Sequence, residues 1–333
     1  MTDRILADKR ILMFSPAFFG YEDMITGKMR EMGAEVDFFD ERSVTSSFSR
    51  AMLHVRPSFF RSHTHSYYDE ILAKIRKNDY DYILFVKCDM ADEKVLKLFR
   101  QTFPHAKMIL LLWDSMRMIF GIEKKFSFFD RLLSFDRFDC EAHPELIFRP
   151  NFYMDDCLNI QEKEIYDWSF CGTIHSDRLN VINQIRSISM RRGYRYDLYP
   201  YLQSRLIYHF YKRTRKEFRN TQANDFCYEK TTFADSMKTM AQSRAVVDIE
   251  HPNQSGLTTR TLLTLAMGKK LITTNEDTRN YEFYDPAQIC IIDRENVEIP
   301  EDFLKEPGKK PSKEFYDKYS LRRWILDVLG EDE

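Results

Sequence analysis

Gln254-Ser255-Gly256-Leu257-Thr258-Thr259-Arg260-Thr261, continuing through Ala266-Met267-Gly268-Lys269-Lys270 into Leu271-Ile272-Thr273-Thr274-Asn275, is the stretch that decides how the chain is read. It runs as a glycine turn, a hydroxyl-rich helix start, a short helix, a second glycine stop and a buried strand. A helix entered through Gly256 presents unpaired N–H groups and the positive end of its dipole. Thr258, Thr259 and Arg260 add donors at the place a phosphate would take, which makes the turn a candidate diphosphate cradle. The plainer alternative is an ordinary α/β unit whose threonines only cap a helix. Context has to choose between them.

Working outward, short apolar runs alternate with helical patterns from the start of the chain, the mark of βαβ units around a mainly parallel sheet. Arg10 to Pro16 is expected to be a buried strand, followed by a helix from about Tyr21 to Met32 that Gly33 stops. Further strands are expected at Glu35–Asp40, Tyr82–Lys87 and Lys107–Trp113, with weaker candidates at Arg131–Phe135 and Leu146–Arg149. A first Rossmann-like domain then closes near Pro150. Asn151 to Asp167 carries acidic pairs and no long apolar run, and is expected to be the linker. A second series begins with the strand Trp168–Thr173 and a helix over Ser176–Arg192, and continues through the strand Ala245–Glu250 to Gln288–Asp293. The expected architecture is α/β, with two Rossmann-like domains facing one cleft, over 1–150 and 151–311. A last helix from about Ser312 to Leu329, within 312–333, is expected to cross back to the first domain.

The chain has 333 residues, 43% hydrophobic and 31% charged, with a formal net charge of −2. It is long enough for two cores, is not disordered in composition, and offers no overall charge for a polyanion. Six cysteines without a C-x-x-C pair indicate neither a zinc site nor a disulfide framework. A reducing cytosol fits that usage. No apolar run approaches the roughly 18 to 20 residues that span a bilayer, and no signal region follows Met1. The expected location is cytoplasmic, extending to the cytoplasmic face of the inner membrane.

In open α/β sheets, ligands bind beyond the carboxyl ends of strands. In the second domain those residues are Gly172, Thr173, Ile174, His175, Ser176, Asp177 and Arg178, together with the turn from Gly256 through Leu257 to Arg260. Gly172 allows close backbone approach, Ser176 suits a helix cap, and Arg178 suits a phosphate oxygen; His175 either donates to phosphate or caps. In the first domain, Trp113-Asp114-Ser115 follows a strand. Asp114 is a candidate general base beside an aromatic platform for a sugar ring, or else a cap for the next helix. Phe18-Phe19-Gly20-Tyr21 is another loop at a strand end. No G-x-x-x-x-G-K-[ST] or G-x-G-x-x-G element is present, which argues against a P-loop nucleotidase and a dinucleotide dehydrogenase.

Asp79-Tyr80-Asp81 has the spacing of a metal-holding pair but precedes its strand and so lies at the wrong end of the sheet. Asp155-Asp156 reads as a solvated turn. No metal and no cofactor are expected. Two basic, aromatic stretches remain, Arg50–Tyr68 (with Arg56, Arg61, His63 and His65) and Arg191–Arg219. The second either lies against anionic lipid or packs its aromatics inward as an ordinary surface helix. Nucleic acid is not an expected partner.

With these motifs placed, the chain resembles the bacterial glycosyltransferases of capsular polysaccharide, exopolysaccharide and lipopolysaccharide biosynthesis that adopt the GT-B fold. The residues that carry the resemblance are Leu12–Pro16 with Asp40-Glu41-Arg42, Trp113–Ser115, Ser134–Asp136, Phe148–Pro150, Cys171–Arg178, Gly256–Thr261, Lys269–Asn275 and Ile292–Arg294. It implies a nucleotide sugar bound mainly by the C-terminal domain, with Arg260 and Asp114 as catalytic candidates. It also implies a glycan acceptor, lipid-linked and growing, met by the N-terminal domain at the inner membrane. One departure stands out. Where retaining members place a glutamate on the helix after the glycine turn to hold the ribose, this chain reads Arg260-Thr261-Leu262-Leu263-Thr264. Leu263 cannot accept that bond. Glu250 or Asp277 would have to replace it, or donor binding is weakened, or the protein binds without transferring. A CDP-polyol phosphotransferase on a similar frame is a further alternative.

Overall fold

The computed structural model describes residues 4–17, 20–42 and 61–331. Phe18, Phe19 and Arg56 lie outside the described residues, as does the side chain of Arg61. The chain divides into two compact units, Met1–Pro150 with Leu321–Glu333, and Asn151–Ser320.

The first unit is a six-stranded parallel sheet in the order β2-β1-β3-β4-β5-β6. The strands are β1 (Arg10–Ser15), β2 (Glu35–Asp40), β3 (Tyr82–Val86), β4 (Lys107–Leu112), β5 (Arg131–Ser134) and β6 (Ile147–Phe148). Between them run α1 (Tyr21–Glu31), α2 (Arg61–Ile75), α3 (Glu93–Thr102) and α4 (Arg137–Ala142). β3 is buried along its whole length, as its unbroken apolar sequence requires of a strand covered on both faces. Asp81, of the Asp79-Tyr80-Asp81 run, accepts the Arg10 amide at 2.8 Å and so sits at the strand-start edge. Of the Arg50–Tyr68 stretch, the described part lies in α2, where His65 bonds Asp92 at 2.8 Å and Tyr68 is buried.

The second unit is a five-stranded parallel sheet in the order β11-β10-β9-β7-β8. Its strands are β7 (Tyr166–Thr173), β8 (Tyr196–Tyr201), β9 (Ser243–Asp248), β10 (Lys270–Thr273) and β11 (Ile289–Ile291). Its helices are α5 (Arg178–Arg192), α6 (Arg205–Thr214), α7 (Phe233–Ala241), α8 (Thr259–Ala266) and α9 (Lys313–Tyr319). Gly268, at φ +71°, ends the α8 turn, the left-handed conformation that favours glycine at a helix stop. In both sheets the strand order reverses between the first and third strands, β1 and β3 in one unit, β7 and β9 in the other. Each reversal leaves a crevice at the carboxyl ends of those strands.

Two expectations need correction. The stretch 151–167 is not a free linker. Phe152, Tyr153, Met154 and Cys157 are each under 5% exposed, and Tyr153 takes the Tyr319 carbonyl at 2.9 Å. Its apolar residues outweigh the acidic pairs around them, while Asp155 and Asp156 themselves stay exposed. Nor is the chain end one helix over 312–329. Ser320 is extended (φ −64°, ψ 149°) and separates α9 from α10 (Leu321–Leu329). Tyr319 is buried and anchored to Glu282 at 2.8 Å, so α9 stays with the second unit. Only α10 belongs to the first, where it packs on α1 and β4. Lys107 and Arg131 donate to its last carbonyls, of Leu329 and Asp327, at 3.2 and 2.9 Å, the cationic finish a helix C-terminus favours.

Trp324 on α10 is fully buried beside Trp113, with ring centroids 6.2 Å apart. Trp324→Ala is expected to cost about 3–5 kcal/mol through the cavity it leaves, measured by denaturant unfolding followed by circular dichroism. A loss under about 1 kcal/mol would mean that α10 is not part of that core.

Candidate functional site

The second unit's crevice is built around Asp248, the last residue of β9 and 1% exposed. Its carboxylate accepts the hydroxyls of Thr258 at 2.5 Å and Thr261 at 2.8 Å, and the Arg260 guanidinium at 3.0 Å. Thr258 also caps α8, its Oγ1 accepting the Thr261 amide at 3.2 Å. The capping alternative thus describes Thr258, whose hydroxyl is already committed; Thr259 and Leu257 are buried. The turn itself is pinned from below. Asn275 Nδ2 donates to the Ser255 carbonyl at 2.9 Å, and Asn151 Nδ2 to that of Leu257 at 2.8 Å. Because C=O and N–H point oppositely across a trans peptide, the amides of Gly256 and Thr258 face away from those anchors.

Arg260 crosses to the neighbouring strand, its Nη2 donating to the Cys171 carbonyl at 2.6 Å. Arg178, at the start of α5, returns to the same place, with Nη1 on the Thr173 carbonyl at 2.9 Å and Nε on that of Ile249 at 2.7 Å. A Cβ built on Gly172 would lie 3.4 Å from Arg260 Nη2 and 3.7 Å from Arg178 Nη1. Two guanidinium groups from the first turns of separate helices therefore flank one glycine. A third, Arg294, binds Asp177 at 2.8 Å and also the Glu250 carboxylate.

So many cations in one buried place perturb each other. Burial, then Arg260, lowers the Arg178 pKa to about 10, against the pull of Asp248 and Glu250. Burial and then Arg178, His251, Arg215 and Arg294 depress His175 to about 3, so its imidazole is neutral. Its Nδ1 lies 3.0 Å from Ser176 Oγ, and its ring is 5.4 Å from that of His251. Ser176 holds φ +48°, an uncommon angle for a residue with a Cβ, while its carbonyl takes Arg215 Nη1 at 2.9 Å. Strain and excess positive charge at one loop suit an anion.

The two carboxylates expected to stand in for Leu263 are occupied. Glu250 is 6% exposed, holds Thr274 Oγ1 at 2.5 Å as well as Arg294, and burial raises its pKa against both. Asp277 is buried and accepts Asn280 Nδ2 at 2.7 Å. Leu263 is 2% exposed, a core residue. Two residues that carry the site, Asp248 and Arg294, are not among the sequence-derived site candidates, although Arg294 ends the Ile292–Arg294 run that helps carry the resemblance. The available signal is the spacing of Asp248 at the end of a strand, ten and twelve residues before Thr258 and Arg260.

In the first unit Asp114 follows β4 and pairs with Lys87 at 2.7 Å, while Lys87 also holds Asp89 at 2.9 Å. Burial opposes the Lys87 charge, but Asp114 and Asp89 outweigh it and raise its pKa. Trp113 is half-buried against Tyr21, with ring centroids 5.7 Å apart. Lys87 and Cys88, just past β3, both have positive φ (75° and 59°). Beside them Glu41, 1% exposed, has no hydrogen-bond partner for either carboxylate oxygen among the described residues. Burial, then Asp89, pushes it up to about 8. Among the described residues no group of three or more His, Cys, Asp or Glu is arranged to hold a metal ion.

No family model matches the chain, and no curated protein matches it in sequence. Solved structures do match its fold. A glycosyltransferase from Rickettsia africae superposes at TM-score 0.61 with 10% identity, covering 97% of both chains. An Anabaena protein in complex with UDP and glucose gives 0.52 and 10%, over 97% of this chain and 95% of the other. The UDP-GlcNAc 2-epimerase of Methanocaldococcus jannaschii gives 0.51 and 8%, over 96% and 99%. The fold is the two-domain GT-B fold, with both parallel sheets as the sequence led us to expect.

Two titrations check this electrostatic picture. By NMR, His175 is expected to stay neutral to about pH 3, and a bound diphosphate should move its pKa upward. The unfolded imidazole protonates near 6.5, so stability is expected to fall as pH drops from about 6.5 towards 3, and His175→Gln should remove that part of the slope. Glu41 has the opposite sign. The folded state holds its proton between about 4.5 and 8, so stability falls as pH rises through that window, and Glu41→Gln should flatten the loss. Unchanged slopes in unfolding experiments at graded pH would overturn either assignment.

Proposed function

We propose that the second unit holds a nucleotide sugar by its diphosphate and that the chain transfers the sugar, without a metal ion, to a hydroxyl of a growing glycan. The observation that carries this reading is the meeting of Arg178 and Arg260 at Gly172. Negative charge grows on the departing diphosphate as the glycosidic bond breaks, and fixed cations and dipoles in a water-poor site stabilise it more than they stabilise the ground state. Gly172, Thr173, His175, Ser176 and Arg178 would line one side, and Gly256 to Arg260 the other. His175, neutral, would donate or accept a hydrogen bond without adding charge. UDP and glucose bound to the Anabaena protein support this donor class, since the fold is shared.

Asp114 and Trp113 would face the acceptor in the first unit. Because Lys87 already occupies the Asp114 carboxylate, that residue acts in this reading as half of a charged pair that positions a sugar hydroxyl. The acceptor is proposed to be a lipid-linked cell-surface glycan of the capsule, exopolysaccharide or lipopolysaccharide class, on the strength of the resemblance alone.

A specific observation favours a second reading, a nucleotide-sugar-binding member that does not transfer. Leu263 is in the core, and both Glu250 and Asp277 spend their carboxylates internally, leaving the ribose without an evident acceptor. Calorimetry with UDP-, GDP-, ADP- and CMP-sugars, alongside donor hydrolysis and transfer assays, separates the two. Transfer predicts that Arg260→Ala lowers kcat/KM by roughly 30- to 1,000-fold, about 2–4 kcal/mol, with a partial rescue by Arg260→Lys. Tight binding with no turnover for any donor would support the binding-only reading. Absence of binding to every nucleotide sugar would defeat both.

A further inference from the structure

α6 lies in a basic stretch that the proposed chemistry does not use. Its sequence, Arg205-Leu206-Ile207-Tyr208-His209-Phe210-Tyr211-Lys212-Arg213-Thr214, contains no acid. Helical spacing of four and three puts Leu206, Phe210 and Arg213 in one stripe. Leu206 is 81% and Phe210 61% exposed, and Arg213 is exposed beside them. The opposite face holds the helix on the unit: Tyr208 is buried with its hydroxyl on the Thr221 carbonyl at 2.8 Å, and Tyr211 lies 5.2 Å from the Phe218 ring. The two tyrosines thus pack inward, as the ordinary alternative foresees, yet Leu206 and Phe210 are left in water.

The surroundings of that pair are cationic. From Ser204 to Asn220 the chain carries six basic residues and a single carboxylate, Glu217. Among the described residues no carboxylate pairs with Arg213, Lys216 or Arg219. With a net charge of only −2, the whole chain offers a polyanion nothing, so any attraction is local to this face.

We propose that this face of α6 docks on an anionic lipid surface. Phe210 and Leu206 would enter the boundary between headgroups and acyl chains while Arg213 and Arg219 meet the phosphates. A second copy of the chain is a poorer occupant, because pairing the face with itself would oppose like charges. Nucleic acid would leave Leu206 without a role, since phosphate contact needs no aliphatic anchor.

The surface is tied to the donor loop within the same unit. Arg215, just past α6, stacks 3.9 Å from the Tyr211 ring centroid and donates to the Ser176 carbonyl at 2.9 Å. Docking would therefore hold the His175–Asp177 loop close to the lipid plane. The surface stands whichever donor that loop takes, and whether or not the chain transfers.

Sedimentation of the full chain with vesicles tests the proposal, comparing phosphatidylcholine alone with phosphatidylcholine mixed with phosphatidylglycerol. Binding is expected only to the mixed vesicles and should weaken with salt. Leu206→Ser with Phe210→Ser, and separately Arg213→Glu with Arg219→Glu, should each weaken it at least about tenfold. Circular dichroism and the melting temperature of both variants should match the parent, because all four side chains are exposed. Absence of binding to anionic vesicles, or equal binding by either double variant, would overturn the proposal. Tighter binding to heparin than to vesicles, unaffected by the apolar double variant, would do so as well, by showing a purely electrostatic partner. Calorimetry of the same variants with UDP should be unchanged, which keeps a failure here distinct from a failure of the donor site.

Discussion

The second unit depends on one buried carboxylate. Asp248 gathers Thr258, Thr261 and Arg260, and with them fixes both the first turn of α8 and the guanidinium that crosses to β7. A carboxylate removed from water at such depth is tolerable only when its oxygens are paired and hydrogen-bonded. Here that requirement does structural work. Satisfying Asp248 forces a cation and a helix N-terminus into the crevice where the strand order reverses. Without it, Arg260 would be left with the Cys171 carbonyl to hold it beside Gly172, and the capping hydroxyl of Thr258 would lose the bond to Asp248.

The remaining charges around that crevice do not cancel. Arg178, Arg260, Arg294 and Arg215 stand against Asp248, Glu250 and Asp177, and each of those acids is engaged with a particular donor. Burial first, and then this surplus, holds His175 in its neutral form. A site of this kind is costly to the protein, since Arg178 lies half-buried among like charges, and an anion with several oxygens relieves more of that cost than a neutral group could. The physical preference is therefore for the anionic end of a ligand. In the proposed reading, recognition of the sugar and of the base would come from elsewhere in the fold.

Much of this was legible from residues alone, and the rest was not, for identifiable reasons. Strands such as Tyr82–Val86 announce themselves because both faces are covered, and Gly268 marks a helix end because few other residues accept its angle. The convergence of Cys171–Arg178 with Gly256–Arg260 follows from parallel topology, which puts successive strand ends on one rim. Partner choice is invisible at that level. Nothing local says that the Thr258 hydroxyl serves Asp248, that Glu250 answers to Arg294, or that Lys87 closes over Asp114, because each pair joins residues brought together only by the sheet. The break at Ser320 is hidden for a similar reason: two helical patterns abut, and only the burial of Tyr319 in one unit and Trp324 in the other parts them.

Leu263 shows how far a single position can be pressed. On α8 it is a core residue, so a carboxylate there would have to be buried or would have to turn the helix. Turning α8 would pull Thr258 and Thr261 from Asp248 and undo the anchor on which Arg260 depends. The same interaction that assembles the crevice thus fixes the helix in a register where the side chain at 263 faces the core. Any hold on a ribose in this chain must then come from backbone or from the loops after β9 and β10, whose carbonyls and hydroxyls do not ask for a buried charge.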